Sequence, residues 1–465
     1  MNLYPLCFAN DVDALVPELW ANESLAILEE NMVMARLVHR DFSPLVASYG
    51  DVVNTRKPGE FSTKRKVAAD SVVSQDAVAT NVQVPLDQHV YVTFTIKDSE
   101  ASYSFKELVE MFMQPAAMQM ARTVDRILAG QAPQFFGTAK VGRLAEMTAS
   151  NARDFVLDAR QKLNENKAYQ AGRNLVLSPG AERQFLDTAI YTKANERGDG
   201  GTALEEARLG RIDGFDTYLD QNVPYRTITD ADTVTCNHTA GASPGDTGNK
   251  ACTATGNGFV GCFVWLTGEG QPHWISALTE SGNNLTGITL EDAYVNTVAT
   301  NAVGYIFSPA VVEGAYAANY TKGITLNGIT ANKLPVVGQM LAFGANTAAR
   351  ATYTIIEVDS VNTTSVIVWL DRPLENALAD ADGAFPGPHG GVNLAFHRNA
   401  IAMVSRPLAT AANGLDVKMG LGSYNDLSMR VAMQYDITSQ GTIVTLDTLF
   451  GVKVVEPLLG CVILS

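Results

Sequence analysis

Residues 90–97 read Val-Tyr-Val-Thr-Phe-Thr-Ile-Lys, an alternation of apolar and polar side chains that is typical of a half-buried strand. Ser104 to Glu107 follows closely and matches the capping box S-x-x-E, which predicts that a helix begins there. The apolar residues of this helix recur at helical spacing from Phe105 to Leu128, and Gly130 predicts its end. Pro115 in its interior predicts a bend. A strand followed by a long helix is therefore the starting point for the fold.

This strand closes the region Gly50 to Asp98, which is poor in large apolar residues between Asn54 and His89 and cannot build a core of its own. We predict a long, polar hairpin that leans on another surface. Such a hairpin exposes strand edges, which proteins usually cover or charge. Two interpretations of its cations stay open, a solvated basic loop and a contact with an acidic surface on another subunit. These cations, called the loop cations below, are Arg56, Lys57, Lys64, Arg65 and Lys66.

The N-terminal part of the chain predicts a helix from about Val16 to Leu37, with apolar positions that include Leu19, Trp20, Ile27 and Leu28. Its other face is acidic. Packing on the chain's own core and packing on a neighbour's core are equally compatible with this pattern.

Downstream of the long helix, Asn151 is predicted to cap a second helix, and residues 174–177 form a strand. Ser178 and Pro179 then predict a further helix start. After Thr227 the composition shifts to Thr, Asn, Gly and Ala with short β-like runs, which indicates an inserted β-rich domain. The glycines at 420 and 422 are interpreted as a turn. The final strands are predicted at 400–404, 428–435, 451–455 and 461–464.

Composition limits the classes of function. The chain has 465 residues, 46% of them hydrophobic and 18% charged, with a net charge of −15, which is typical of a folded protein of two or three domains. The acidic balance argues against sequence-independent nucleic-acid binding, which depends on cations. No apolar run reaches bilayer length and the N-terminus lacks a basic start, so neither a membrane span nor a secretory signal is predicted. Five cysteines are consistent with isolated thiols in a reducing compartment.

The sequence lacks the motifs of common catalytic sites. It has no phosphate loop and no H-E-x-x-H zinc motif. The nearest metal-like group matches no standard spacing and comprises Cys236, His238, Cys252 and Cys262. A glycosidase-like pair of carboxylates is not excluded by residue type, although nothing selects one. We therefore predict no enzyme, with no catalytic residue, no cofactor and no metal.

With these parts in order, the chain resembles a tailed-phage major capsid protein, specifically the lambdoid podophage coat family. The resemblance begins at the hairpin, which opens with residues 50–58, Gly-Asp-Val-Val-Asn-Thr-Arg-Lys-Pro. Four later stretches carry it further: 214–216 through 223–224, 338–343, 393–400 leading to 406–408, and 433–436 followed by 447–454.

The resemblance implies an α+β fold of the tailed-phage/herpesvirus capsid type with an inserted immunoglobulin-like (telokin-like) domain. In that scheme the implied parts are an N-terminal arm (1–49), an extended loop (50–98), and a region holding the spine helix, the peripheral domain and part of the axial domain (99–225). The insertion follows (226–397), and then the remaining axial domain with the C-terminal strands (398–465). The immunoglobulin-like core is expected near 321–394, so that 226–320 enlarges the insertion beyond the family pattern.

The same resemblance implies a shell protein of the virion, assembled in the cytoplasm of a bacterial host. Its expected partners are further copies in hexamers and pentamers, a scaffolding protein, a portal and, as an optional partner, a cement or decoration protein. Double-stranded DNA would be enclosed without sequence-specific binding, and no membrane is involved. The competing hypothesis is a carbohydrate-binding or capsid-decorating β-rich structural protein, which the aromatic residues Trp265, Trp274 and Tyr316 favour.

Overall fold

The structure is a computed structural model. It describes residues 15–40, 52–57, 63, 65–66, 80–97, 109–135, 140–142, 147–192, 209–226, 233–238, 241–246, 248, 250–255, 263–266, 272–281, 284–290, 293–294, 296–307, 310–320, 322–328, 335–344, 351–361, 365–386, 390–409, 417–424, 427–438 and 440–464. The chain forms two compact units. The first combines residues 1–31, 39–121 and 401–455, and the second combines residues 32–38, 122–400 and 456–465.

Six α-helices are described: α1 (Leu15–Asn31), α2 (Met34–Leu37), α3 (Gln114–Ala129), α4 (Ala152–Glu165), α5 (Pro179–Asp187) and α6 (Ala189–Thr192). A π-helical turn, Val109–Met113, leads directly into α3. The predicted long helix is thus confirmed from Val109 onward, while its capping box at Ser104 lies outside the described residues. The predicted caps of two later helices differ: Ser178 Oγ accepts a hydrogen bond from Ala181 N (3.3 Å), whereas the Asn151 side chain makes no cap bond to α4.

The strands are β1 (Val52–Lys57), β2 (Thr80–Pro85), β3 (Gln88–Lys97), β4 (Lys140–Gly142), β5 (Arg173–Leu177), β6 (Arg211–Ile212), β7 (Phe215–Leu219), β8 (Tyr225–Arg226), β9 (Thr233–His238), β10 (Lys250–Thr255), β11 (Phe263–Leu266), β12 (Pro272–Ser281), β13 (Asn284–Leu290), β14 (Ala302–Phe307), β15 (Ala310–Val312), β16 (Ile324–Asn327), β17 (Met340–Gly344), β18 (Ala351–Ser360), β19 (Val366–Leu370), β20 (Gly383–Pro386), β21 (Gly390–His397), β22 (Ile401–Arg406), β23 (Val417–Tyr424), β24 (Leu427–Asp436), β25 (Gly441–Val454) and β26 (Gly460–Leu464).

The first unit contains an antiparallel sheet in the order β22-β25-β24-β23, with β3 paired to β25. The alternating segment at 90–97 is therefore confirmed as a strand, but it is not an arm of the hairpin. It pairs with β25 from Gln88↔Phe450 to Lys97↔Gly441. The hairpin consists of β1 and β2 alone. An alternating pattern specifies which face of a strand is buried and leaves its partner unspecified.

Helix α1 packs on this sheet through Trp20, Leu25 and Leu28, which are buried, whereas Leu19 is 56% exposed. The predicted turn at Gly420 and Gly422 is wrong, because both residues lie inside β23. A Cβ at Gly422 would meet the backbone of Ala21 in α1 at 3.0 Å. The glycine therefore permits a close approach of helix and strand. The N-terminal helix packs on its own core and ends earlier than predicted, at Asn31.

The second unit contains a sheet in the order β4-β26-β21-β5-β7-β6, with β8 paired to β21. Helices α4 and α5 cover a core that includes Val156, Leu163 and Phe185, together with Leu175 of β5 and Ile463 of β26. Strands from before and after the insertion thus share one sheet. The predicted final strands are confirmed, with β25 starting ten residues earlier than the 451–455 segment.

The β-rich insertion forms two closed antiparallel barrels, β10-β13-β12-β11-β14-β9 and β15-β16-β19-β18-β17-β20. Each has its own apolar core, one around Ile275 and Ile288 and one around Tyr353 and Val368. The segment 226–320, to which the family resemblance assigned no structural part, contains the whole first barrel. The second barrel begins at Ala310 rather than near Thr321.

The grouping of the chain differs from the predicted domain bounds at the C-terminus. Residues 401–455 join the hairpin and α1 in the first unit, whereas residues 456–465 join the second unit. The region 398–465 is therefore divided between the two. The names peripheral and axial for these parts stay predictions.

Candidate assembly surface

The β1–β2 hairpin is fixed at its root. Its register runs from Val52↔Pro85 to Lys57↔Thr80, and Val53 and Val84 are buried against Ala402 and Val404 of β22. The backbone of β2 also meets β25 closely, since a Cβ at Gly451 would overlap the carbonyl oxygen of Pro85. The root is therefore held by packing that only glycine permits.

The loop cations lie at the other end of this ladder and beyond it. Arg56 and Lys57 occupy the last two pairs, opposite Asn81 and Thr80, and their side chains lie outside the described residues. Arg65 and Lys66 are exposed, and Lys64 is outside the described residues. The structure therefore places four of the five cations in the hairpin or its connection, and their predicted contact with a neighbour stays a prediction.

The exposed side of α1 is acidic. Glu18, Glu23 and Glu30 are exposed, and Glu29 is partly buried, while the opposite side of the helix carries the buried Trp20 and Leu28. The same helix thus covers the sheet with apolar groups and presents carboxylates outward.

A row of four paired residues crosses the sheet of the first unit: Leu421, Arg430, Asp447 and Tyr91. Arg430 Nε and Nη2 donate to the two carboxylate oxygens of Asp447 at 3.0 and 2.5 Å. His89 Nε2 lies 3.2 Å from Asp447 Oδ2. Bidentate pairing of this kind is both strong and geometrically specific. It ties β24, β25 and β3 together beside two side chains, Leu421 and Tyr91, that are 37% and 65% exposed.

The second barrel is anchored to the end of α3 through a buried carboxylate. Asp371 accepts hydrogen bonds from Thr354 N at 2.6 Å, from Arg372 Nη1 at 3.0 Å and from Gln131 Nε2 at 3.3 Å. The Arg372 guanidinium lies 4.4 Å from the centre of the Tyr353 ring. Burial raises the pKa of Asp371 to about 6, although Arg372 and the hydrogen bonds oppose the shift.

The stretch at 393–400, one of those that carry the family resemblance, has a clear structural use. Asn393 is fully buried in β21. Its Oδ1 accepts from Ser178 N (2.6 Å) and its Nδ2 donates to Ile463 O (3.2 Å). This side chain therefore joins β21, β26 and the start of α5. Asn393 and Asp371 were not identified as structural groups from the sequence. The only local signal was at Asn393, a polar residue between the apolar Val392 and Leu394.

No catalytic arrangement emerges from the described residues. Among them, no three His, Cys, Asp or Glu side chains lie close enough to hold a metal ion. Of the metal-like group, Cys252 is buried, and the side chains of Cys236, His238 and Cys262 are outside the described residues. The described helices include none that is long and apolar enough to cross a membrane.

Of the three aromatic residues that favoured ligand binding, only Tyr316 has a described side chain. Tyr316 is partly buried, and its hydroxyl donates to Glu313 O and accepts from Thr325 N, at 3.0 and 2.9 Å. It therefore serves the barrel itself. The side chains of Trp265 and Trp274 lie outside the described residues.

Comparison with known proteins gave matches to solved structures only. No protein-family model and no curated protein matches the chain. A structure titled Mycobacterium phage Che8 is similar over 93% of this chain and 90% of its own, with 14% identity and a TM-score of 0.44. The capsid structure of the cyanophage P-SCSP1u matches over 93% and 88%, with 11% identity and a TM-score of 0.43. The mature capsid of bacteriophage PhiM1 matches over 90% and 83%, with 9% identity and a TM-score of 0.39.

Proposed function

We propose that this chain is the major capsid protein of a tailed phage, and that its copies assemble into the icosahedral shell around double-stranded DNA. The observation that carries the proposal is the β1–β2 hairpin. Its described apolar burial is confined to the root, at Val53 and Val84. Residues 58–79, with the cations Lys64, Arg65 and Lys66, continue beyond the last strand pair.

A hairpin of this kind has little to stabilise it alone, because an isolated two-stranded ribbon is marginally stable in water. Covering it with a second copy of the chain removes this difficulty, and a symmetric shell supplies such a copy at every position. Exposed ion pairs are individually worth only about 0.2 to 1 kcal/mol. Repetition over many copies makes such small contributions decisive for assembly.

The finer assignment is to the lambdoid podophage coat family, with the insertion as an enlarged immunoglobulin-like module. Two features support it: the insertion leaves and re-enters one sheet between β8 and β21, and it consists of barrels with separate cores. In this proposal the copies form hexamers and pentamers, a scaffolding protein guides assembly, and a portal occupies one vertex. A cement or decoration protein is an optional further partner.

The charge of the chain suits a container for DNA. Packaged DNA carries about one negative charge per 1.7 Å of helix, so a cationic inner wall would bind it and hinder packing and release. The net charge is −15. The side chains of Glu18, Glu23 and Glu30 in α1 are exposed to solvent. We assign the acidic side of α1 to the inner face of the virion shell.

The test is a triple charge reversal, Lys64→Glu, Arg65→Glu and Lys66→Glu, in the full chain co-expressed with its scaffold. The yield of closed particles should fall strongly, because three cations that would face acidic groups of a neighbour become anions. Sedimentation and negative-stain microscopy measure the yield, and circular dichroism of the soluble fraction should show an unchanged monomer.

The matched control reverses three exposed cations elsewhere, Lys167, Arg183 and Lys322, and so produces the same change in net charge. It should leave particle yield nearly unchanged. Normal assembly of the loop variant would refute the proposed contact, and equal losses in both variants would assign the effect to net charge.

A further inference from the structure

The two barrels of the insertion have the same topology. When the strands of each barrel are counted in chain order, both barrels run second, fifth, fourth, third, sixth and first around the closed sheet. Neighbouring strands are antiparallel throughout both barrels. Six strands can close in many orders, so the shared order indicates that the barrels are related.

The register of the paired strands is also the same. In the first barrel Asn237 pairs with Thr253, and in the second barrel Val311 pairs with Asn327, each residue 74 positions later. A slip of one residue would turn the side chains of a strand to its other face, so a shared register gives both barrels the same pattern of inward positions. Further corresponding pairs are Ala251↔Gly287 and Thr325↔Ile367, Val264↔Ile306 and Leu341↔Pro386, and Cys236↔Gly304 and Ala310↔Ala384.

Irregular features of the strands are repeated as well. The pairing of β12 with β13 is interrupted between Ile275 and Ala277, and the pairing of β18 with β19 is interrupted between Ile355 and Glu357, each residue 80 positions later. Turn residues with positive φ also recur at corresponding positions: Gly245 and Asn319, and Asn301 and Ala381.

The loops of the two barrels form the same bridge. Ala242 and Val298 exchange two backbone hydrogen bonds, at 3.0 and 2.9 Å, between the first and the last connection of the first barrel. Tyr316 and Leu378 exchange two bonds of 2.9 Å between the same connections of the second barrel. Closing a barrel requires neither a β-bulge at one place nor a bridge between two loops. These shared details therefore indicate one module that occurs twice.

The barrels differ where the second one meets the end of α3. A Cβ at Gly130 would lie 3.0 Å from the Cβ atoms of both Thr354 and Asp371, and Asp371 forms its ion pair with Arg372 beside this contact. The chemistry of this anchor is specific to the second barrel, because the sequence holds other residues at the aligned positions of the first barrel. These residues are Trp274, Glu291 and Asp292.

We propose that the two barrels are tandem copies of one folding module with divided roles. The second copy anchors the insertion to α3, and the first copy is a self-contained addition that the rest of the chain does not need in order to fold. The cores support this division, since neither core of described residues includes a residue of the other barrel. Each barrel is also closed, so neither needs the other to cover a strand edge.

The shared register defines how the first copy can be removed. Deletion of residues 236–309 makes Thr235 precede Ala310, so that the entry strand of the first copy continues into the first strand of the second. The register of the first copy then places Val234 opposite Pro386, at the end of β20.

The chain is long enough for this join. Arg226 of β8 pairs with Gly390 of β21, and residues 387–389 already bridge from Pro386 to Gly390. The longer segment 227–233 can therefore bridge the corresponding gap on the other side, because the reach of a chain grows with its number of residues.

The test compares two in-register deletions of nearly equal length in the full chain. Without residues 236–309, the unfolding temperature should stay within a few degrees of the wild type, and hydrogen-exchange protection in β18 and β21 within about threefold. The matched control removes residues 304–383, and with them the anchor residues Thr354 and Asp371. Protection at the end of α3 should then fall about tenfold or more.

A second junction separates the effect of the join from the effect of losing the first copy. Deletion of residues 234–307 removes the same number of residues and keeps Ser308 and Pro309 before Ala310. Loss of the folded state with both junctions would overturn the proposal, as would equal protection at the end of α3 without the first copy and without the second. These measurements follow folding rather than assembly, so their outcome does not depend on the proposed capsid role.

Discussion

At the scale of single residues, close approaches of the backbone set the tightest requirements. Gly451 of β25 faces the carbonyl of Pro85 in β2 so closely that a Cβ would overlap the oxygen. Because backbone cannot move aside as a flexible side chain can, any larger residue must displace the root of the hairpin. Overpacking of this kind typically costs about 1–3 kcal/mol.

We expect Gly451→Ala to lower the free energy of unfolding by at least about 2 kcal/mol, and to reduce hydrogen-exchange protection in β2 more than in β24. Gly180→Ala is the matched control, since a Cβ there meets nothing within 4 Å and alanine favours the helix by about 0.5–1 kcal/mol. Chemical denaturation measures both variants. Equal stability of the Gly451 variant and the wild type would contradict the described root of the hairpin.

Individual residues also show which contacts the sequence could not predict. Glycine indicates either a turn or a close approach, and nothing near Gly422 reveals that α1 lies against it. Asp125 lies beside the apolar stripe of α3, so the sequence predicts that its side chain is buried. The sequence does not indicate which residues that side chain contacts. Its hydrogen bond to Val33 joins residues 92 positions apart, so the early end of the N-terminal helix had no local signal.

At the scale of elements, the type of element was predictable and its partner was not. The alternation at 90–97 predicted β3, but its partner β25 follows more than 300 residues later. The capping pattern at Ser178 predicted α5 because both groups lie within one turn. The two barrels share a composition rich in Thr and Asn, which predicts β structure in general and contains no signal for the division near residue 308.

The anchoring of the second barrel to the end of α3 is a contact between two structural elements. We expect Asp371→Ala to lower the stability of the second barrel by about 1–3 kcal/mol, because it leaves buried hydrogen-bond donors unsatisfied and leaves the Arg372 guanidinium with Glu375 as its remaining carboxylate partner. It also removes the acceptor of Thr354 N and Gln131 Nε2. Hydrogen exchange should show the loss in β18 and β19.

Asp359→Ala, an exposed change in the same barrel, should stay within about 0.5 kcal/mol of the wild type. Gln131→Ala separates the two contributions of Asp371, since it removes the bond to the end of α3 and leaves the ion pair with Arg372 intact. A loss from Asp371→Ala no larger than that from Asp359→Ala would show that the buried carboxylate does not hold the barrel.

At the scale of the whole molecule, the proposed function requires that folding and assembly depend on different parts of the chain. The core beneath helices α4 and α5 and the cores of the two barrels are formed by described residues of one copy. The described burial of the hairpin ends at its root. The connection beyond Lys57 and Thr80 should therefore matter for contacts between copies and little for the fold of one copy.

This separation can be tested by replacing residues 58–79 with Asn-Gly. The pair Lys57↔Thr80 closes the ladder, and a two-residue Asn-Gly turn fits such a pair with the twist of the strands. We expect a folded chain whose unfolding temperature stays within a few degrees of the wild type, because loop length contributes slowly to stability. The same chain should form no closed particles, as judged by sedimentation and electron microscopy.

A second variant replaces residues 58–79 with a Gly/Ser linker of equal length. It separates the effect of the length of this segment from the effect of its side chains. It keeps the span that a flexible chain can cover but lacks Lys64, Arg65 and Lys66. Failure of both variants to assemble, with the fold retained, assigns assembly to the side chains of this segment. Normal particles from the Asn-Gly variant would show that the hairpin does not supply the assembly contacts. The main support for a shell-forming role would then be lost.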